Sequence, residues 1–159
     1  MDKLPTLDDV YRKFGSASEA AQLLETELGT LLLFLDAADK GLLAKPDATV
    51  AGLILNGINR QTLGMLIKNA KGKTPSLDRL EALLSKALEE RNRLSHSFYR
   101  QHNFRRNSGE GRTLMMQDLE SIHSTLIEAY KALLLLSGTD LDAELAAERI
   151  ISPIGHVPI

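Results

Sequence analysis

The sequence contains no cysteine and no tryptophan, and aromatic residues make up only 4% of its 159 positions. The absence of cysteine excludes disulfide bonds, thiolate zinc sites and cysteine nucleophiles. The longest apolar runs, residues 31–35 and 132–136, are far shorter than the roughly 20 residues of a membrane-spanning helix. The first residues lack the basic start and apolar run of a signal peptide, so the sequence predicts a cytoplasmic protein.

A strong net charge is also missing, since 19 basic and 21 acidic residues leave a formal charge of −2. The chain as a whole is therefore not an electrostatic binder of nucleic acid, and any surface of that kind must be a local patch. Hydrophobic residues at 43% and charged residues at 25% are ordinary for a folded protein. We find no internal repeat or low-complexity linker and predict one domain over residues 1–159.

The two-residue alternation of β-strands is nearly absent, whereas leucine recurs at helical spacing. Gly15 is expected to interrupt the first helix, and the pattern Ser16 to Glu19 resembles a capping box that opens a second one. Gly41 and Gly138 are expected to end long helices. We predict helices over residues 6–14, 16–40, about 60–70, 74–101 and 112–137, with a last helix to about residue 150 and an extended tail over 151–159.

The predicted helices carry apolar stripes that must be buried against one another. In the helix over 74–101 the stripe consists of Leu77, Leu80, Leu84, Ala87, Arg91 and Leu94. Residues 42–73 contain one proline and four glycines, and beyond the short helix at 60–70 they give no clear pattern. The sequence therefore predicts an all-α fold, an up-and-down bundle of four to five helices.

Polar side chains suited to phosphodiester cleavage lie near the end of the helix over 74–101, in the run Arg91-Asn92-Arg93-Leu94-Ser95-His96. Asn92 and His96 are about 40° apart around a helix and can meet, whereas Arg91 is about 140° from His96. Histidine exchanges protons near neutral pH, and arginine binds phosphate oxygens through paired donors. Because RNA supplies its own nucleophile, the 2′-hydroxyl, this set requires neither a metal nor a protein nucleophile.

The residues that follow are basic and aromatic. Residues 91–106 contain five arginines and no acidic residue, with Phe98, Tyr99 and Phe104 among them. Arginine beside aromatic rings is typical of surfaces that hold a phosphate backbone and stack bases.

The arginine, the polar residue after it and the histidine near the end of a helix resemble the signature of HEPN domains. The resemblance covers about residues 80–138, where Arg-Asn-x-Leu-x-His-x-Phe-Tyr precedes a loop and a long amphipathic helix. HEPN domains are typically homodimers whose motif helices meet at the interface. Many are metal-independent endoribonucleases of toxin–antitoxin or other defence systems. The resemblance implies that Arg91 and His96 are the catalytic pair and that Asn92 is the polar residue of the motif.

On this interpretation the chain is a homodimeric endoribonuclease that cleaves RNA without a cofactor or a metal ion. An antitoxin or a nucleotidyltransferase is a possible partner. His96 would transfer protons, Arg91 would bind and stabilise the phosphate, and Asn92 would orient. The residues expected to contact the RNA are Arg93, Ser95, Tyr99, Arg100, Arg105, Arg106 and Arg112.

A second interpretation is that Arg91, Arg93 and His96 only complement the negative end of the helix dipole. The chain would then be a non-enzymatic, dimeric helical module that binds a partner protein or a nucleotide.

The remaining histidines and glycines carry weaker signals. No two histidines have the spacing of a helical metal site, and we predict no metal. His123 lies among apolar residues and is expected to be structural. His102 is expected to be solvated in an arginine-rich loop over 102–111, and Gly109-Glu110-Gly111 is expected to form a turn.

Overall fold

The chain folds into α-helices joined by short connections, in a computed structural model that describes residues 3–147. No β-strand occurs in that range, which confirms the predicted all-α class. None of its helices has the length and hydropathy needed to cross a membrane. The helices are α1 (Leu7–Asp39), α2 (Ala48–Asn59), α3 (Leu63–Ala70), α4 (Pro75–Arg79), α5 (Glu81–His96), α6 (Phe98–His102), a 3₁₀ turn (Asn103–Asn107), α7 (Gly109–Leu136) and α8 (Leu141–Ala146).

Residues 3–147 thus form eight α-helices, whereas the sequence predicted four to five. The tail expected to be extended from residue 151, and the end of the last helix near residue 150, lie outside the described residues.

Helix α1 is continuous, and the predicted break at Gly15 is wrong. The N-cap is Thr6, whose hydroxyl accepts from the backbone N–H of Asp9 at 3.2 Å while the Asp9 carboxylate accepts from the Thr6 N–H at 2.8 Å. The hydroxyl of Ser16 donates to the carbonyl four residues earlier, as in a helix interior. Val10 and Ala17, on either side of Gly15, are buried in one core, and this packing outweighs the cost of about 1 kcal/mol for a helical glycine.

The region after α1 is more regular than its glycines suggested. Gly41 ends α1 with a positive φ of 71°, as predicted. The Asp47 side chain caps α2 by accepting from two backbone N–H groups. Gly29 of α1 lets α2 approach closely, because a Cβ there would lie 3.2 Å from Cγ2 of Ile58. The sequence missed α2 and gave approximately the range of α3.

Three long helices, α1, α5 and α7, enclose the core. Lys13 pairs with Glu120, and the Ser137 hydroxyl donates to Glu27 at 2.7 Å, so α1 and α7 run in parallel. Helix α5 runs the opposite way between them. Of the stripe predicted in the helix over 74–101, four members are buried, Leu77, Leu84, Ala87 and Leu94, which confirms its orientation.

The predicted helix over 74–101 is in fact three helices, with breaks at Leu80 and Ser97. The second break turns Phe98 inward, where it is fully buried and its ring lies 5.7 Å from that of Phe14. The predicted loop over 102–111 is also helical for most of its length. Gly109, Glu110 and Gly111 form the first turn of α7 rather than a separate turn, and Ser108 caps it by accepting from the Gly111 N–H at 3.0 Å.

Gly111 fixes the position of the 3₁₀ turn over 103–107 against α7. A Cβ at this buried residue would overlap the backbone carbonyl of Arg105. We expect Gly111→Ala to lower the free energy of unfolding by about 1–3 kcal/mol, because backbone atoms must move to relieve the overlap. Chemical denaturation measures the change.

Gly15→Ala is the matched control, because a Cβ at this exposed helical position meets no atom within 4 Å. It should stabilise the protein by about 0.5–1 kcal/mol. Equal effects of the two substitutions would contradict the packing described for Gly111.

Candidate active site

The motif residues occupy the last turns of α5. His96 is the final residue of the helix and is exposed, and its side chain makes no hydrogen bond or ion pair within residues 3–147. Arg91 is partly buried against α1, where its Nη2 lies 3.6 Å from Oε2 of Glu25. Its Nη1 donates to Oδ1 of Asn92 at 3.1 Å. The structure therefore joins Arg91 to Asn92 and leaves His96 free to meet a ligand or a second chain.

Arg91 and His96 do not face one pocket of a single chain. Five residues of α-helix separate them by about 140°, and Arg91 is directed toward α1. Within the described residues, no hydrogen bond joins the His96 imidazole to the side chain of Arg91 or Asn92. A site that uses both side chains therefore needs a further surface opposite the end of α5.

Arg93 is occupied by carboxylates within the fold. Its two terminal nitrogens donate to the two oxygens of Asp118 on α7, both at 2.7 Å, and Nη2 also donates to Glu90 at 2.8 Å. The hydrogen bond from Arg93 lowers the pKa of the Asp118 carboxyl, and the Asp118 carboxylate raises the pKa of Arg93. Arg93 was predicted to contact RNA, but in this structure it joins α5 to α7.

His102 is buried, and the expectation that it is solvated is wrong. His102 is only 4% exposed, and the centroid of its ring lies 4.5 Å from that of the Phe98 ring. Nε2 is 2.7 Å from Oδ2 of Asp118, and Nδ1 is 3.2 Å from Nη1 of Arg105. Because a guanidinium can only donate, Nδ1 accepts from it and Nε2–H donates to Asp118, so the ring is neutral in this arrangement.

Asp118 is the residue that the sequence analysis missed. It accepts from both Arg93 and His102, and His102 in turn accepts from Arg105. A carboxylate next to a buried leucine on an apolar helix face was the available signal, but sequence alone did not supply its partners.

The remaining predicted RNA contacts differ in accessibility. Ser95 and Tyr99 are exposed, and the ring of Tyr99 packs 5.1 Å from that of Phe14. Arg112 is committed to the fold, since its Nε donates to the Pro5 carbonyl at 2.7 Å and its Nη1 to the Arg106 carbonyl at 3.0 Å.

Three arginines and one aromatic ring form an exposed surface at the corner between α6 and α7, which we name the basic corner: Arg100, Phe104, Arg105 and Arg106. Phe104 is 75% exposed, the largest exposure among the large hydrophobic side chains of the described residues. Arg106 donates to the Tyr11 hydroxyl at 2.9 Å, and Arg100 to the Ser97 hydroxyl at 3.4 Å. Neutral partners of this kind leave the positive charges unneutralised.

His123 has the structural setting expected of it. Its Nδ1 lies 3.1 Å from Nζ of Lys13, which also pairs with Glu120. Partial burial lowers the pKa of His123 below its ordinary value.

Comparison of the chain with protein-family models, with curated proteins and with solved structures finds no significant match. The functional argument therefore depends on the motif and on the geometry of this chain.

Asp118→Asn tests the contribution of the Arg93 ion pair. At neutral pH we expect a loss of about 1–3 kcal/mol in the free energy of unfolding, because Arg93 keeps its charge and loses its carboxylate. Since the folded-state pKa of Asp118 is lowered from 3.8, its stabilisation is complete above that pH and is lost as the pH falls through the folded-state value. The difference between wild type and variant should therefore shrink below about pH 4, as measured by urea unfolding at several pH values.

The control is Glu89→Gln, which removes the same charge from an exposed position of α5 without an ion pair in the described residues. It should change the free energy of unfolding by less than about 0.5 kcal/mol. A difference between wild type and Asp118→Asn that stays constant down to pH 2 would refute the assignment.

Proposed function

We propose that this protein is a metal-independent endoribonuclease of the HEPN type, acting as a homodimer. Its chemistry is transfer of the phosphoryl group within RNA. The 2′-oxygen attacks the adjacent phosphorus, the bond to the 5′-oxygen breaks, and the products are a 2′,3′-cyclic phosphate and a 5′-hydroxyl. The reaction needs one group that accepts the 2′-hydroxyl proton and another that gives a proton to the leaving oxygen.

The observation that carries the proposal is the state of His96. A histidine that stabilised the fold through side-chain contacts would have a partner, as His102 and His123 do. His96 is instead exposed at the end of α5 and unpartnered within the described residues, one helical turn from Asn92. An imidazole in this setting is available for proton transfer, and Arg91 nearby holds a guanidinium for the phosphate.

The angle between the two side chains supports the proposed homodimer. Arg91 and His96 of one chain point in directions about 140° apart. A two-fold axis near the end of α5 would place the same surface of a second copy opposite it, because an isologous interface repeats one patch. Two copies of His96 would then supply the base and the acid, and both Arg91 side chains would border the phosphate.

The basic corner supports RNA as the substrate. It presents three guanidinium groups with no acidic partner in residues 3–147 and one ring, Phe104, that is 75% exposed. Guanidinium groups bind the phosphate backbone, and an exposed ring can stack on an unpaired base. A defence or toxin role, with an antitoxin or a nucleotidyltransferase as partner and the cytoplasm as its site, stays part of this hypothesis.

The alternative is a non-catalytic interaction module, and an exposed apolar groove favours it. The groove lies between α1 and α2 and is lined by Leu33, Phe34, Ala37, Ala51 and Leu55. Phe34 is 56% exposed there. This alternative predicts that the protein does not cleave RNA and that replacing His96 does not change the binding of its partner.

His96→Ala decides between the two interpretations. The wild type should cleave single-stranded RNA in the presence of EDTA, and the variant should lose at least about 100-fold in rate, the usual contribution of a general acid or base. Because His96 has no partner in the described residues, the free energy of unfolding should change by less than about 0.5 kcal/mol. Lys86→Ala, at another exposed position of α5, should keep the wild-type rate.

A covalently linked dimer with one wild-type and one His96→Ala subunit extends this test. A shared site predicts a rate close to that of the double variant, whereas half the wild-type rate would show that each chain works alone. Loss of cleavage with chelator, restored by a divalent ion, would instead exclude the metal-independent mechanism.

Arg105→Ala combined with Arg106→Ala tests the basic corner. In a His96→Ala background, which prevents cleavage, binding of single-stranded RNA should weaken. The slope of log affinity against log salt should become shallower by about 1.4, because two phosphate contacts are lost. Arg79→Ala combined with Lys45→Ala removes the same charge from exposed positions elsewhere and should leave the slope unchanged. Equal slopes for all three proteins would exclude this corner from the RNA site.

A further inference from the structure

A cleft of about 440 Å³ opens beside α1, between α2 and the start of α3. Its floor includes the buried residues Gly29, Ile58 and Leu66. Because Gly29 has no side chain, α1 and α2 can lie close together and close the base of the cleft. The volume is within the range of small-molecule sites in proteins. The cleft is separate from the motif residues, none of which lines it.

The rim of the cleft carries polar groups that the fold leaves unused. The side chains of Gln22, Thr26 and Asn59 make no hydrogen bond within the described residues. The fourth group is the carboxylate of Glu25, whose ion-pair partner, Nη2 of Arg91, is 3.6 Å away and therefore too far for a hydrogen bond. The rim thus offers amides, a hydroxyl and a carboxylate, above an apolar floor.

The charge of the lining limits what the cleft can bind. No lysine or arginine lines it, and Glu25 is its charged residue. A phosphate or carboxylate inside the cleft would be repelled by Glu25 and would find no cationic side chain in the lining. An uncharged planar group with N–H donors on its edge fits better, because it can cover the apolar floor and donate to the carboxylate.

The position of the cleft connects it to the motif. Glu25 lines the cleft and also lies next to Arg91, the side chain that the proposed function assigns to the phosphate. A phosphate at Arg91 therefore has a neighbouring cavity in which the base of an adjoining nucleotide can lie.

We propose that this cleft binds a nucleobase that adjoins the scissile phosphate, and that guanine is the base it favours. This inference rests on the proposed function and adds to it a sequence preference. Guanine presents two adjacent donors, N1–H and the 2-amino group, which match the two oxygens of the Glu25 carboxylate. Asn59 and Gln22 can complete the contacts at the base edge, and Ile58 and Leu66 contact its face. Uracil offers a single N–H donor and should bind more weakly.

Thr26→Leu is the first test, because an exposed helical position accepts leucine and the larger side chain narrows the cleft. Guanosine and uridine, which have no phosphate, are titrated into isotope-labelled protein and followed by NMR. The wild type should bind guanosine at least about tenfold more tightly than uridine, the difference of one or two hydrogen bonds. Thr26→Leu should lose this preference. Ser124→Leu, at an exposed position of α7 outside the cleft, should keep it.

Cleavage-site mapping on an RNA of random sequence is the second test. The wild type should cut next to guanine more often than next to uracil, and Thr26→Leu should cut without that bias. Asn59→Leu repeats both measurements from the opposite wall of the cleft, in case Thr26→Leu fails to fold.

The two measurements separate the two proposals. If the wild type cleaves RNA but shows neither guanosine binding nor a base preference, the cleft proposal is overturned and the ribonuclease stands. If guanosine binds and the Thr26→Leu variant loses it, but no RNA is cleaved, the base site stands and the proposed function fails. A base preference that survives both cleft substitutions overturns the cleft proposal.

Discussion

The carboxylate of Asp118 is the constraint on which the packing at the end of α5 and the corner after it depends. It holds Arg93 of α5 through two hydrogen bonds and His102 of α6 through a third, while its own helix, α7, supplies the third side of the corner. The breaks on either side of α6 are acceptable because these bonds, together with the buried ring of Phe98, replace a continuous helix. The direction of His96 at the end of α5 and the location of the basic corner both follow from this junction.

The same junction separates two kinds of arginine that composition alone cannot distinguish. Arg93 donates hydrogen bonds to carboxylates and Arg112 to backbone carbonyls. Both stabilise the packing of α5, α7 and the N-terminal residues. Arg105 and Arg106 have only neutral partners, so their charges remain directed at the surrounding solvent. An arginine-rich stretch therefore contains its own scaffold, and only part of it can meet a nucleic acid.

Much of the fold could be predicted from the sequence where one local rule dominated. The stop at Gly41, the stripe that leads to Leu94 and the all-α class are of this kind. The errors at Gly15 and over residues 48–59 share one cause, because glycine was read as a helix breaker. At Gly15 burial on both sides favoured the helix, and over 48–59 the Asp47 cap and the packing of Ile58 against α1 favoured it.

The candidate site divides along the same line. The sequence predicts Arg91, Asn92 and His96 as site residues, which stays a prediction, but it gave neither the pairing of Arg91 with Glu25 nor the burial of His102. These contacts join residues far apart in the chain, and no spacing rule for a single helix contains them.

Helix α1 extends beyond the end of α7, the helix that runs parallel to it. Glu27 meets Ser137 just past the end of α7, and α1 then continues to Asp39, where its neighbours are α2 and α3. Helix α1 thus packs against α5 and α7 along its first part and against the shorter helices α2 and α3 along its last part. Helices α2 and α3 should exchange their amide hydrogens with solvent first, since local opening begins where fewer apolar contacts must be broken. A ligand bound between α1 and α2 would then slow amide hydrogen exchange in α2 and α3 while leaving the exchange rates of α7 unchanged.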